Sequence, residues 1–182
     1  MKGHIESRLK HLYSGEFFAV ISFVILSVLM NHNYPDLQLY SLFSFWTAFL
    51  LLEFLLLQGS MYWYIKLKRF KNEKTFITPE NVVYKLIKLR KINLLLIALP
   101  LFAFTYDLLR LQSPLPVGGL FITLFIYLFA ILEYINYFYT QLSYDNIADL
   151  LYLKRHKVLK QASIKRDINR LLHNNVKKEP QI

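Results

Sequence analysis

Four long apolar blocks, set apart by segments that hold nearly all of the charge, constrain this chain more than any other feature. About 20 consecutive, mostly apolar residues cross a hydrocarbon layer of roughly 30 Å as a helix. The blocks, at about 12–31, 39–64, 92–110 and 117–139, come close to or exceed that length. A soluble domain with 55% hydrophobic and 19% charged residues would intermix them. Segregation on this scale predicts an all-α integral membrane protein with four transmembrane helices.

The spans are separated by distinct punctuation. Asn31 to Asp36 is a polar turn, and Arg110 to Pro116 is another, shaped by Pro114 and Pro116. Met61-Tyr62-Trp63-Tyr64 resembles an interfacial aromatic belt ahead of Lys66, Lys68 and Arg69. The connection 66–91 is strongly basic. Within it Thr78-Pro79-Glu80 predicts a helix start, with Thr78 as N-cap and Pro79 at the first helical position. That helix should run straight into the third span, where Pro100 is tolerated if side chains or neighbouring helices satisfy the carbonyl it frees. Gly118-Gly119 should allow a close approach at the start of the fourth span.

After the fourth span, apolar positions Ile147, Leu151, Val158, Ala162, Ile168 and Leu171 recur near helical spacing. They predict a continuous, basic amphipathic helix over about 145–172, then a disordered end from Asn174. The expected division is a membrane domain over 1–143 and a cytoplasmic tail over 144–182.

Of the 22 Lys and Arg, only Arg110 falls on the side of the two short turns. Positive charge is retained on the cytoplasmic side of membrane proteins. Both termini are therefore expected to be cytoplasmic, and the composition suits a bacterial plasma membrane. The same rule explains the net charge of +10 without invoking nucleic acid. No small-residue cleavage site follows Met30, so the first block reads as a retained span.

An offset of 80 residues pairs Arg8-Leu9-Lys10-His11 with Lys88-Leu89-Arg90-Lys91, and Leu52-Glu53-Phe54 with Leu132-Glu133-Tyr134. Tandem duplication of a two-span hairpin would produce this pattern. Glu53 and Glu133 are also the carboxylates lying well inside spans, and neither has a Lys, Arg or His inside a span to pair with. Intramembrane acids face other helices or a wet crevice and mark proton or cation pathways. A central crevice with Trp46, Tyr127 and Tyr137 as aromatic helpers would suit a small proton-coupled transporter or channel. Alternatively, neutral acids would hydrogen-bond to Asn136 or Thr47 and hold the bundle together.

Two weaker groupings complete the polar inventory. Asp107 and Arg110 have the spacing of a pair on one helix face and would anchor the end of the third span. Asp145, Asp149 and His156 would share a face of the tail helix and could offer ligands to a divalent metal, although a solvated polar face is the more ordinary account of them.

Cysteine is absent, which excludes disulfides and thiolate chemistry. No phosphate-binding glycine loop, nucleophile elbow or zinc-protease motif occurs, so a non-enzymatic role with no cofactor is expected. The expected partners are the bilayer itself and anionic phospholipid headgroups. Lys66, Lys68, Arg69, Lys85, Lys88, Arg90, Lys91, Lys154, Arg155 and Lys157 would contact the headgroups, a membrane-protein partner or a second copy of the chain.

Overall fold

The computed structural model describes residues 2–110, 115–143 and 147–178. Its helices are α1 (Lys2–Asn33), α2 (Phe43–Glu73), α3 (Glu80–Arg110), α4 (Val117–Phe138), α5 (Ile147–His156) and α6 (Ser163–Lys178). Among the described residues the extended pairing is one isolated antiparallel bridge, Thr140 with Gln161. Helices α1 to α4 are long and apolar enough to cross a membrane. The chain divides into two compact units, one of Met1–Phe76 with Asn93–Ile131 and one of Ile77–Ile92 with Leu132–Ile182.

In the first unit, α1 and α2 pack antiparallel along their lengths. At 1.5 Å per residue each is about 45 Å long, so helix continues well beyond the apolar blocks at 12–31 and 39–64. The extensions are amphipathic. Leu9 packs with Leu67 and Phe70, flanked by Ile5, Tyr13 and Trp63, while Lys71 reaches Glu6 at 3.6 Å. At the opposite end Phe45 and Phe49 of α2 meet Phe23 and Met30 of α1.

The turn between these helices is tight. Pro35–Leu37 and Leu39–Ser41 are single 3-10 turns either side of Gln38, whose φ of 47° is left-handed. Residues 39–41, expected inside the second span, therefore belong to the turn. Gly118 and Gly119, in the first turn of α4, sit against Leu37. The close approach expected of this glycine pair is thus made to a turn backbone.

Large apolar side chains face outward on α1, α3 and α4, among them Phe18, Leu95, Phe102, Phe121 and Phe125. Such density on a water-facing surface would be costly, whereas lipid tails accept it. Helix α2 is by contrast the most enclosed of the four long helices.

In the second unit, α3 begins one residue later than its Thr78-Pro79 signal. Pro79 supplies the carbonyl that accepts from Val82 and Val83. Contrary to the expectation from the sequence, Thr78 does not cap the helix with its side chain. Its buried hydroxyl donates instead to Asp167 of α6 at 2.5 Å. Arg170 joins the same node, 3.3 Å from the Asp167 carboxylate and 3.3 Å from the Thr78 carbonyl. Tertiary folding of α6 thus supplies the hydroxyl with a charged acceptor, a partner that spacing along one helix does not reveal.

The helix expected to run unbroken over 145–172 is two helices. Lys157 adopts φ 53°, and the chain leaves helical geometry through Gln161 and Ala162. There the Gln141 amide donates to the Lys160 carbonyl, and the Ala162 amide to Tyr139. Pairing with the segment after α4 thus replaces helical hydrogen bonds, an alternative that local periodicity cannot register. Helix α6 buries Ile164, Ile168 and Leu171 on one face and continues as helix to Lys178, past the expected disordered start at Asn174.

Candidate functional site

Helices α2 and α3 are fastened at two places within the first unit. At one, both oxygens of Asp107 accept backbone amides from the first turn of α2: Phe43 at 3.1 Å and Ser44 at 2.7 Å. These amides have no intrahelical acceptor, and the helix dipole makes the position favourable for an anion. Asp107 is buried, so the pairing with Arg110 read from their spacing is not the one formed. The orphan amides of another helix are stronger claimants than an exposed guanidinium, because their need is met nowhere else.

At the other fastening, Gln58 and Asn93 exchange amide hydrogen bonds. Gln58 Nε2 donates to Asn93 Oδ1 at 3.0 Å, and Asn93 Nδ2 donates to Gln58 Oε1 at 2.9 Å. Both residues are buried. Phe43 and Gln58 are fifteen residues apart, Asn93 and Asp107 fourteen, so the two fastenings fix a single antiparallel register.

Between them lies a groove of about 480 Å³ lined by Thr47, Leu50, Leu51, Glu53, Phe54, Leu57, Leu96 and Leu99. Glu53 is 8% exposed. Neither of its carboxyl oxygens has a hydrogen-bond partner among the described residues. Thr47 is the other polar side chain on the wall, and its hydroxyl is occupied by the carbonyls of Phe43 at 3.2 Å and Ser44 at 3.0 Å. A buried carboxyl with no partner is costly, and such exceptions call for an explanation.

Pro100 lies inside α3 close to this groove, one residue beyond Leu99. It lacks an amide hydrogen, so Leu96 is denied its helical donor. The neighbouring carbonyl of Ile97 accepts from the Tyr127 hydroxyl of α4 at 2.9 Å. Tyr127 therefore supports the proline-weakened turn. Trp46, the other aromatic helper in this unit, donates from Nε1 to the Tyr40 carbonyl and meets the Tyr40 ring at a tilt and the Phe45 ring edge to face. Of the expected helpers, Thr47 is the one on the wall with Glu53.

Glu133 belongs to the second unit and is differently placed. Asn136 donates to it at 3.2 Å from the next turn of α4, and Tyr137 is a further hydrogen-bond partner. The Asn136 side-chain oxygen Oδ1 in turn accepts from the Leu142 and Ser143 amides, fixing the chain where it leaves the helix.

The basic residues divide by environment. Lys66 lies over the Tyr62 and Trp63 rings, and Arg69 is paired with Glu73. Lys68, Lys85, Lys88, Lys91, Lys154, Arg155 and Lys157 are exposed, and Arg90 is half-buried. Among the described residues no three His, Asp or Glu side chains come together as a metal site. His156 ends α5, whereas Asp145 and the Asp149 side chain lie outside the described residues.

The sequence reading missed Gln58 and Asn93 as partners. Their signal was present as one amide side chain in each of two apolar blocks. Comparison with protein-family models, curated proteins and solved structures gives no match.

Proposed function

We propose that the chain is a four-span membrane protein of the bacterial plasma membrane, and that it acts as a small proton-coupled carrier with Glu53 as its exchanging group. The single observation behind this reading is the buried Glu53 carboxyl, whose two oxygens have no hydrogen-bond partner among the described residues, in a residue that lines an open groove. A group that alternates between holding a proton and holding a cation must lack a permanent internal partner. Glu53 meets that condition, while Glu133, engaged by Asn136, reads as a structural acid at the end of α4. The two hairpins, α1 with α2 and α3 with α4, would then be tandem copies that diverged in the use of their acids.

Glu53→Gln keeps the shape of the side chain and removes its ability to exchange a proton. In proteoliposomes, an imposed pH gradient is expected to decay faster with the wild-type protein than without protein. The Glu53→Gln variant should match protein-free vesicles, and Glu133→Gln should behave as wild type. Undiminished decay in the Glu53→Gln protein removes the proposal.

The orientation has a separate test, since the chain contains no cysteine. A cysteine at Asn33, exposed at the end of α1, should react with a membrane-impermeant maleimide added outside intact cells. One at Lys74 should react only after permeabilisation. The reverse pattern overturns the arrangement with both termini inside.

A second reading gives the basic residues of the second unit a role in holding anionic phospholipid headgroups. It is favoured by Lys154, Arg155 and Lys157, which are exposed together at and just after the end of α5. Each well-placed cation contributes about 1 kcal/mol near an anionic leaflet. Replacing Lys154, Arg155 and Lys157 together by Gln should lower retention of phosphatidylglycerol during purification from mixed lipid. Equal retention by both proteins would discard this role.

A further inference from the structure

Resting on the Glu53 reading above, we infer that the groove between α2 and α3 binds a protonated primary or secondary amine carrying an apolar body. Its volume of about 480 Å³ is in the range that encloses one small organic molecule. Six of its eight lining residues, Leu50, Leu51, Phe54, Leu57, Leu96 and Leu99, are apolar. None of the lining residues other than Glu53 titrates or carries charge, so the carboxylate faces no competing countercharge on this wall.

The donor and acceptor balance selects the ligand. Glu53 has two acceptor oxygens that receive no donor among the described residues; both are shielded from solvent, so the side chain turns toward the groove when the occupant binds. The Thr47 hydroxyl donates to backbone of its own helix and supplies none. The occupant must therefore bring both positive charge and N–H groups, and an ammonium with at least two hydrogens satisfies both oxygens with charge-assisted bonds. A quaternary ammonium supplies the charge alone. A lipid tail would fill the groove and leave the carboxyl unpaired. Calcium and magnesium require six or more oxygens, and this wall presents one carboxylate and one committed hydroxyl.

The rim points the same way. Leu50, Leu57 and Leu99 are exposed apolar residues beside the groove, on helices long enough to span a bilayer. An occupant entering past them comes from hydrocarbon, which admits an amphipathic amine far more readily than a hydrated ion. The Phe54 ring on the same wall adds an attractive surface for a cation.

The test uses the full chain in nanodiscs of neutral phosphatidylcholine, so that lipid charge does not concentrate the probe. Three probes share one body: N-methyl-naphthylmethylamine, naphthylmethyl-trimethylammonium and methylnaphthalene. Equilibrium dialysis against empty nanodiscs should give saturable binding of the secondary amine, about tenfold weaker binding of the quaternary ion and none of the hydrocarbon. Glu53→Gln should weaken amine binding by at least about tenfold. Leu57→Trp, which fills the groove and keeps Glu53, should abolish it while circular dichroism stays helical.

Equal binding of the hydrocarbon, unchanged binding in Glu53→Gln, or no saturable amine binding overturns the inference. Infrared difference spectra separate its failure from that of the carrier reading. A carboxyl signal that responds to pH in the wild type and is lost in Glu53→Gln, with no amine bound, defeats the ligand class alone. No such signal defeats both.

Discussion

Asp107→Leu is expected to destabilise the protein by about 3 kcal/mol, although the residue sits at the end of a span and touches no groove residue through its carboxylate. The carboxylate accepts two amides at the start of α2, and hydrogen bonds to charged groups are worth about 1.5 to 3 kcal/mol each. Leucine leaves the Phe43 and Ser44 amides without an acceptor, in surroundings from which water is largely excluded. It also removes one of the two fastenings that hold α2 and α3 in register. Asp107→Asn should fall between, since its single oxygen serves one amide while its NH₂ group opposes the other. The check is urea titration of detergent-solubilised protein followed by tryptophan fluorescence. A loss below about 1 kcal/mol would mean that the cap is satisfied by solvent.

Gly119→Ala should cost about 3 kcal/mol, at the upper end of what overpacking usually exacts. A β-carbon there would lie 2.0 Å from the Leu37 carbonyl oxygen, 3.1 Å from its carbon and 3.2 Å from a Leu42 methyl. The oxygen belongs to the backbone of the last residue of the first 3-10 turn, so it cannot rotate aside as a side chain would. Helix α4 must instead withdraw from the α1–α2 turn. Gly118→Ala provides the internal control. Its β-carbon would meet only the Leu37 Cδ2 methyl, at 2.9 Å, which a rotamer change can relieve, and the expected loss is below about 1 kcal/mol. Equal melting temperatures for the two alanine variants would refute this account of the close approach.

The long helices were legible because their signal is local and summed over many residues. A block of about 20 apolar residues leaves the chain few alternatives, and the basic stretch 80–91 joins the third block without a breaker. The helix ends were less legible. Residues 2–11 and 65–73 are polar enough to resemble loops, yet they remain helical because Leu9, Leu67 and Phe70 pack together. The break at Lys157 carried no glycine or proline to announce it, since it follows from pairing with residues 139–141.

The candidate site was half legible. Glu53 could be named because a carboxylate inside an apolar block is rare. Its difference from Glu133 was legible on one side only: Asn136, three residues after Glu133 and already a candidate partner, holds that acid, whereas Thr47 turns to its own backbone and nothing among the described residues bonds to Glu53. Asp107 was assigned to Arg110 because helical spacing sees only its own helix.

What the sequence alone determined is the four long apolar helices, whose signal arises from residues close together in the chain. Tertiary structure decided which polar groups find partners. Gln58 and Asn93, and Asp107 with Phe43 and Ser44, are joined across 35 to 64 positions. Hydrogen bonds of that kind depend on register between helices, and register is a property of packing that no local pattern contains.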